Sequence, residues 1–217
     1  MRQFFIKTFS KLEYAESFLS KGQMLFRNFK YFRELEDNKQ RGDESEGFAI
    51  EQKNIVLSSN LKSLQLGRNN QGKQFFLDIE KLKKDKPELF NKELTMKISY
   101  YADCILYCLT YIDSNTKDID LVFNRIKNYG EYSVVITNCK DFLEKVKRKI
   151  LGCEYRLVNY NIGKDKKDVF NKPVEYKYDS EFRIVKNSSD DSEFIEIGKL
   201  QGFICKSESL NAIKSVL

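Results

Sequence analysis

The chain contains no histidine and no tryptophan, and only 2 prolines and 10 glycines in 217 residues. The missing histidine excludes Ser-His and Cys-His nucleophile pairs and any imidazole general base. Five cysteines, Cys104, Cys108, Cys139, Cys153 and Cys205, follow no zinc-ligand spacing, so no metal bound by histidine or cysteine is expected. Two of them sit in the apolar run Cys104-Ile105-Leu106-Tyr107-Cys108-Leu109, which reads as buried free thiols of a reducing cytosol. The scarcity of proline and glycine argues against long linkers and low-complexity tails. No apolar run approaches about 18 residues, so no membrane span is expected. The opening Met1-Arg2-Gln3-Phe4-Phe5-Ile6-Lys7 lacks the apolar core of a signal peptide, which adds to a cytoplasmic expectation. What remains for chemistry is carboxylate, lysine, arginine, tyrosine, serine and threonine. One glutamate acting by its charge survives this filter, and so does Mg²⁺ held by carboxylates.

Core material is plentiful: 41% of residues are hydrophobic, with 17 Phe and 12 Tyr. Length and composition fit a single domain over residues 1–217. Lys and Arg number 38 against 32 Asp and Glu, a net charge of +6. A mildly basic balance is compatible with a plain solvated surface or with an anionic partner: a nucleotide, RNA or DNA.

The order of elements points to an α+β fold. Gln3 to Phe9 reads as a strand. Ser10-Lys11-Leu12-Glu13 has the form of a capping box, and Leu12, Ala15, Phe18 and Leu19 make one helical face that Gly22 ends. Gln23 to Phe26 reads as a second strand, with a short helix from Phe29. Phe48 to Ile50 and Ile55 to Leu57 read as a hairpin, Phe75 to Ile79 and Met96 to Tyr100 as strands, and Cys104 to Tyr111 as a central strand buried on both faces. Helices are expected over Asp118–Lys127 and, capped by Asn138, over Cys139–Ile150, with strands at Tyr132–Thr137, Glu154–Tyr160, Glu181–Lys186, Glu193–Ile197 and Gly202–Cys205. Ser207 is expected to cap a final helix. Short strands with helices at the N-terminus, middle and C-terminus suggest a mixed or antiparallel sheet and not a doubly wound one.

Three segments could carry chemistry. The loop Glu36 to Gly47 concentrates Glu36, Asp37, Arg41, Asp43, Glu44 and Glu46; it can grip an anion through Arg41, or be a solvated turn at Gly42. In Asp179-Ser180-Glu181-Phe182-Arg183-Ile184, strand alternation puts Glu181 and Arg183 on one face and Phe182 and Ile184 on the other. The two charges can pair internally, or Glu181 can face a cleft and stabilise a positive centre. Glu175-x-Lys177 and Glu51-x-Lys53 match the Glu-x-Lys pair with which strand-borne Mg²⁺ nucleases hold metal, a pattern that chance also produces in a Lys- and Glu-rich chain. The helix bearing Lys140, Lys145, Lys147, Arg148 and Lys149 could touch phosphates, although Asp141 and Glu144 dilute it.

The opening strand-helix-strand with Phe18-Leu19-Ser20-Lys21-Gly22, then Tyr31-Phe32-Arg33 and Arg41-Gly42-Asp43 with Glu46-Gly47, and late Asp179-Ser180-Glu181-Phe182-Arg183, resembles a broad bacterial family that includes proteins of abortive phage infection. That family is in turn remotely similar to ADP-ribosyltransferases. The resemblance implies a split β-sheet with NAD as substrate in its cleft, no metal, and a protein or nucleic-acid target. It implies Glu181 as the late catalytic glutamate, with Asp179 at the companion acidic position. It places the first-strand nucleotide-binding position at Lys7 and Thr8, where this chain has neither Arg nor His, and leaves the middle-strand residue open among Ser58, Ser59 and Tyr107. Arg33, Arg41, Asp43 and Arg183 complete the implied nucleotide-binding set. A binding module with the same fold and no catalysis remains the alternative, ahead of a Mg²⁺ nuclease.

Overall fold

The computed structural model describes residues 2–34, 48–58, 63–68, 74–160 and 168–216, with backbone alone at 33–34, 48–53, 65–68, 74–76, 95–101 and 216. In chain order the elements are β1 (Gln3–Phe9), α1 (Leu12–Lys21), β2 (Gln23–Asn28), α2 (Phe29–Glu34), β3 (Phe48–Val56), β4 (Ser63–Arg68), β5 (Gln74–Asp78), α3 (Ile79–Asp85), β6 (Glu93–Tyr101), β7 (Cys104–Asp113), α4 (Ile119–Ile126), β8 (Tyr132–Ile136), α5 (Cys139–Lys149), β9 (Glu154–Leu157), β10 (Glu181–Asn187), β11 (Ser192–Glu196) and β12 (Gly202–Lys206). The fold is α+β with antiparallel sheets. Among the described residues no helix is long and apolar enough to cross a membrane.

The chain divides into two compact units. The smaller spans Gly47–Asp103 with Gly163–Val169. It pairs β3 with β6 and β4 with β5, and gathers Leu57, Ile79 and Phe90 into a small core. The expected hairpin across residues 48–57 is instead one nine-residue strand, β3, whose partner β6 lies some forty residues on. Asp78 caps α3 by accepting a hydrogen bond from the Lys81 amide at 3.0 Å.

The larger unit is built on an eight-stranded sheet of order β11-β2-β7-β1-β8-β12, with β10 and then β9 added beside β7. Its centre is β7, buried almost throughout, as the apolar run from Cys104 requires. One face buries Phe5, Phe18, Phe26, Tyr107, Phe142 and Phe182 against α1 and α5. The other buries Phe4, Ile6, Ile112, Phe123, Val135 and Leu210 beneath α4 and the 3₁₀ turns of Ser207–Val216. The final segment is therefore 3₁₀ and not α-helical.

Two helix ends behave as their sequences demand. Gly22 takes φ 63° and sends its amide to the Phe18 and Ser17 carbonyls, closing α1. The Asn138 side chain accepts from the Asp141 amide at the start of α5. The capping box does not form: Lys11, and not Ser10, occupies the cap of α1, with no side-chain hydrogen bond.

The feature that creates a site is the pairing of β7. Its β10 edge is continuous, from Glu181 opposite Thr110 to Asn187 opposite Cys104. Its other edge is shared. β1 pairs only from Gln3 opposite Asp113 to Ile6 opposite Thr110, and β2 pairs only at Arg27 and Asn28, opposite Leu106 and Ile105. Between them, at Tyr107, Cys108 and Leu109, neither strand pairs. The chain leaves the sheet through α1 there, and β1 stays attached only to β8 at Lys7, Thr8 and Phe9. The sheet is split at its middle strand.

Gly130 holds one wall of the split in place. A Cβ there would lie 2.5 Å from the Phe9 carbonyl carbon and oxygen, so only glycine lets the turn after α4 approach β1. Gly130→Ala is expected to lower stability by about 1–3 kcal/mol, the usual range for overpacking. Thermal denaturation measures this, and an unchanged midpoint would show that the turn can retreat freely.

Candidate functional site

The split opens into a cavity of about 620 Å³. From β1 it is lined by Lys7 and Thr8; from β7 by Tyr107, Cys108 and Thr110; and from the start of β10 by Glu181. Alternation explains which groups meet. Phe182 and Ile184 enter the core, so Glu181 and Arg183 share the opposite face, as the sequence predicts. Register then sets Glu181 beside Thr110 and Arg183 beside Cys108.

Lys7 closes the unpaired edge. Its Nζ donates to the Cys108 carbonyl at 2.8 Å and stands 4.5 Å from the Tyr107 ring centroid. A backbone carbonyl that lost its sheet partner at the split thus receives a charged donor. The Tyr107 hydroxyl is buried and, among the described residues, has no hydrogen-bond partner.

Around Glu181 the charges are packed and largely buried. Arg183 Nε donates to Oε1 at 2.7 Å and Lys172 Nζ lies 3.0 Å from Oε2. Burial works to raise the Glu181 pKa, but the Arg183 and Lys172 cations outweigh it and hold the carboxyl well below the usual carboxylate range. The group is ionised at neutral pH and cannot serve there as a proton-accepting base. It can attract developing positive charge or accept a hydroxyl hydrogen bond. The Cys108 thiol is pushed well up by burial and by the nearby Glu181 carboxylate, and stays protonated.

Asp179 lies one turn earlier, at the end of the 3₁₀ segment Val174–Asp179. Its Oδ1 accepts from Arg125 Nε at 2.8 Å and from the Tyr129 hydroxyl at 2.6 Å, and Lys172 Nζ donates to Oδ2 at 3.2 Å. Burial and Asp179 push the Tyr129 phenol far up, so it remains a donor. Ser180, between the two carboxylates, takes φ 44°. It is pinned there by its hydroxyl to the Tyr111 carbonyl at 2.7 Å and by the Tyr111 amide to its own carbonyl at 2.8 Å. That left-handed residue stops the strand from starting before Glu181. Asp179 therefore ends the 3₁₀ segment while Glu181 begins β10.

No protein-family model, curated protein or solved structure matches the chain.

The residues singled out from sequence thus distribute as follows. Lys7, Thr8, Asp179 and Glu181 line one cavity. Arg183 does not line it; it is fully buried behind Glu181, with its guanidinium 5.6 Å from the Phe29 ring centroid, so it cannot grip a phosphate and acts on Glu181 instead. Arg33 lies in α2, where the backbone alone is described, and Arg41 and Asp43 lie outside the described residues. Of the middle-strand candidates, Tyr107 is on β7 at the cavity; Ser58 follows β3 in the smaller unit, and Ser59 lies outside the described residues. Glu175 and Lys177 sit in the 3₁₀ segment and not on a strand, which removes the strand-borne arrangement a Glu-x-Lys metal pair needs. Among the described residues no three His, Cys, Asp or Glu side chains converge to hold a metal.

Sequence reasoning missed Lys172, Arg125 and Tyr129. Lys172 bridges both carboxylates, and Arg125 and Tyr129 come from α4 and the turn after it. Their partners are 50 or more residues away for α4, and Asn171-Lys172-Pro173 carries no local pattern, so nothing in the sequence marked them.

Proposed function

We propose that the cavity binds NAD or a closely related nucleotide and that the protein transfers ADP-ribose to an acceptor, in a phage-defence or toxin-like setting. The observation that carries this reading is the position of Glu181: an ionised carboxylate on the wall of a cavity at a sheet split, shared with Lys7 and Thr8 of the first strand. The volume falls inside the roughly 300–1,000 Å³ range of small-molecule sites. Three cations, Lys7, Arg27 and Lys172, line it against two carboxylates, Asp179 and Glu181, which suits a ligand bearing phosphates. In the proposed reaction the C1′–N bond of the nicotinamide riboside breaks and its electron pair leaves with nicotinamide. The acceptor's nucleophile forms the new bond to C1′ and releases its proton to solvent. Glu181 acts by charge on the oxocarbenium-like centre and as acceptor for a ribose hydroxyl.

Purified protein incubated with NAD, followed by nicotinamide release, tests this directly. Lys7→Met is expected to weaken nucleotide binding about tenfold, roughly 1.4 kcal/mol, by removing a lining cation. Isothermal titration reads that change, and unaltered affinity would take Lys7 out of the site.

A second reading has one observation of its own. Both Glu181 oxygens already engage cations, Arg183 and Lys172, which lowers the negative charge left for a transition state. A nucleotide- or partner-sensing module without turnover fits that balance. Nucleotide binding with no nicotinamide release would select it.

A further inference from the structure

At the open end of the cavity three aromatic side chains are left in solvent. Tyr14 of α1 is 49% exposed, Tyr31 of α2 41% and Phe194 of β11 66%, and all three line the cavity. Single exposed rings are ordinary on a protein surface, but rings gathered around one cavity mark a contact site. These come from three separate elements, so no single helix face or hairpin explains them. Two carry cations: Lys11 Nζ stands 5.5 Å from the Tyr14 centroid, and the Arg27 guanidinium 4.8 Å from that of Tyr31. Phe32 adds an edge-on contact to Tyr31 at 5.4 Å between centroids, which fixes that ring's attitude. The nearby carboxylates Glu13 and Glu193 each face a lysine, Lys11 at 3.6 Å and Lys186 at 2.5 Å.

We propose that this rim binds single-stranded nucleic acid, with unpaired bases stacking on Tyr14, Tyr31 and Phe194 and phosphates meeting Arg27 and Lys11. Exposed rings interleaved with cations are what single strands use: every base has a face to stack, and the backbone supplies the negative charge. A duplex hides its base faces and gains nothing from the rings. Lysine, which flanks Tyr14 here, is depleted at protein interfaces, whereas a phosphate backbone attracts it. NAD in the cavity offers only its adenine and nicotinamide rings, fewer than the side-chain rings gathered here from three elements. The inference goes beyond the nucleotide reading of the cavity and does not require it: it names the macromolecule that the mouth holds.

The test is fluorescence anisotropy on the full chain with a labelled mixed-sequence single strand of about 12 nucleotides, as RNA and as DNA, and with the matching duplex. Binding of at least one single strand, at least about tenfold tighter than the duplex and weakening with added salt, is expected. Tyr31→Ala and Phe194→Ala should each lower affinity by between about 5-fold and 100-fold, whereas Tyr31→Phe keeps it. Both side chains are exposed, and circular dichroism checks that the variants fold. Absence of single-strand binding, equal binding of the duplex, or alanine variants that bind like the parent would each overturn the proposal. Nicotinamide release is read separately, so loss of the transferase reading leaves this result standing, and the reverse also holds.

Discussion

Glu181→Gln is expected to cut nicotinamide release by about 10²–10³-fold while changing nucleotide affinity by less than about fivefold. The amide keeps the shape and the hydrogen bond from Arg183 but loses the charge, and charge is what the proposed reaction draws on. The group cannot work by proton transfer, because Arg183 and Lys172 hold it ionised far below neutrality. Its contribution should therefore show no pH limb near 7. Turnover by Glu181→Gln at the parental rate would end the enzymatic reading and leave the sensing one. A matched loss of binding and rate would instead place Glu181 in ground-state recognition.

The second large effect concerns stability. Among the described residues Arg183 is the largest fully buried side chain, 0% exposed, and its charge is answered by Glu181 at 2.7 Å. Arg183→Leu leaves Glu181 buried with Lys172 as its remaining cationic partner. Breaking a buried pair from one side costs about 3–5 kcal/mol, which for a chain of this size corresponds to a fall in melting temperature of roughly 10 °C. The double variant Glu181→Leu with Arg183→Leu should recover part of the loss, since no unpaired charge then stays inside. A single variant as stable as the parent would mean that water reaches the pair.

The same pair sets an acid limit. The folded pKa of Glu181 lies below its unfolded value of about 4.3. Its contribution to stability is therefore complete above that value and is lost as pH falls through the acid range toward the folded pKa. Glu181→Gln should flatten the decline of stability between about pH 5 and pH 2. Thermal unfolding across that range measures it.

The sequence by itself determined the local pieces. The apolar run from Cys104 reads as a strand buried on both faces, because it offers no polar side to water, and β7 is buried almost throughout. Alternation put Glu181 and Arg183 together, since a strand's side chains repeat every two residues. Gly22 had to end α1, because a positive φ is cheap only there. The residue Ser180 shows where local rules stop: its left-handed turn is imposed by hydrogen bonds to Tyr111, a residue 69 positions away, and it separates Asp179 from the strand that carries Glu181. Tertiary structure alone decided that β1 and β2 take successive stretches of one edge of β7, that the gap between them becomes a cavity, and that Lys172, Arg125 and Tyr129 converge on the two carboxylates. Those facts depend on pairing between strands about a hundred residues apart and on charges that find each other only when buried, and neither leaves a periodic mark along the chain.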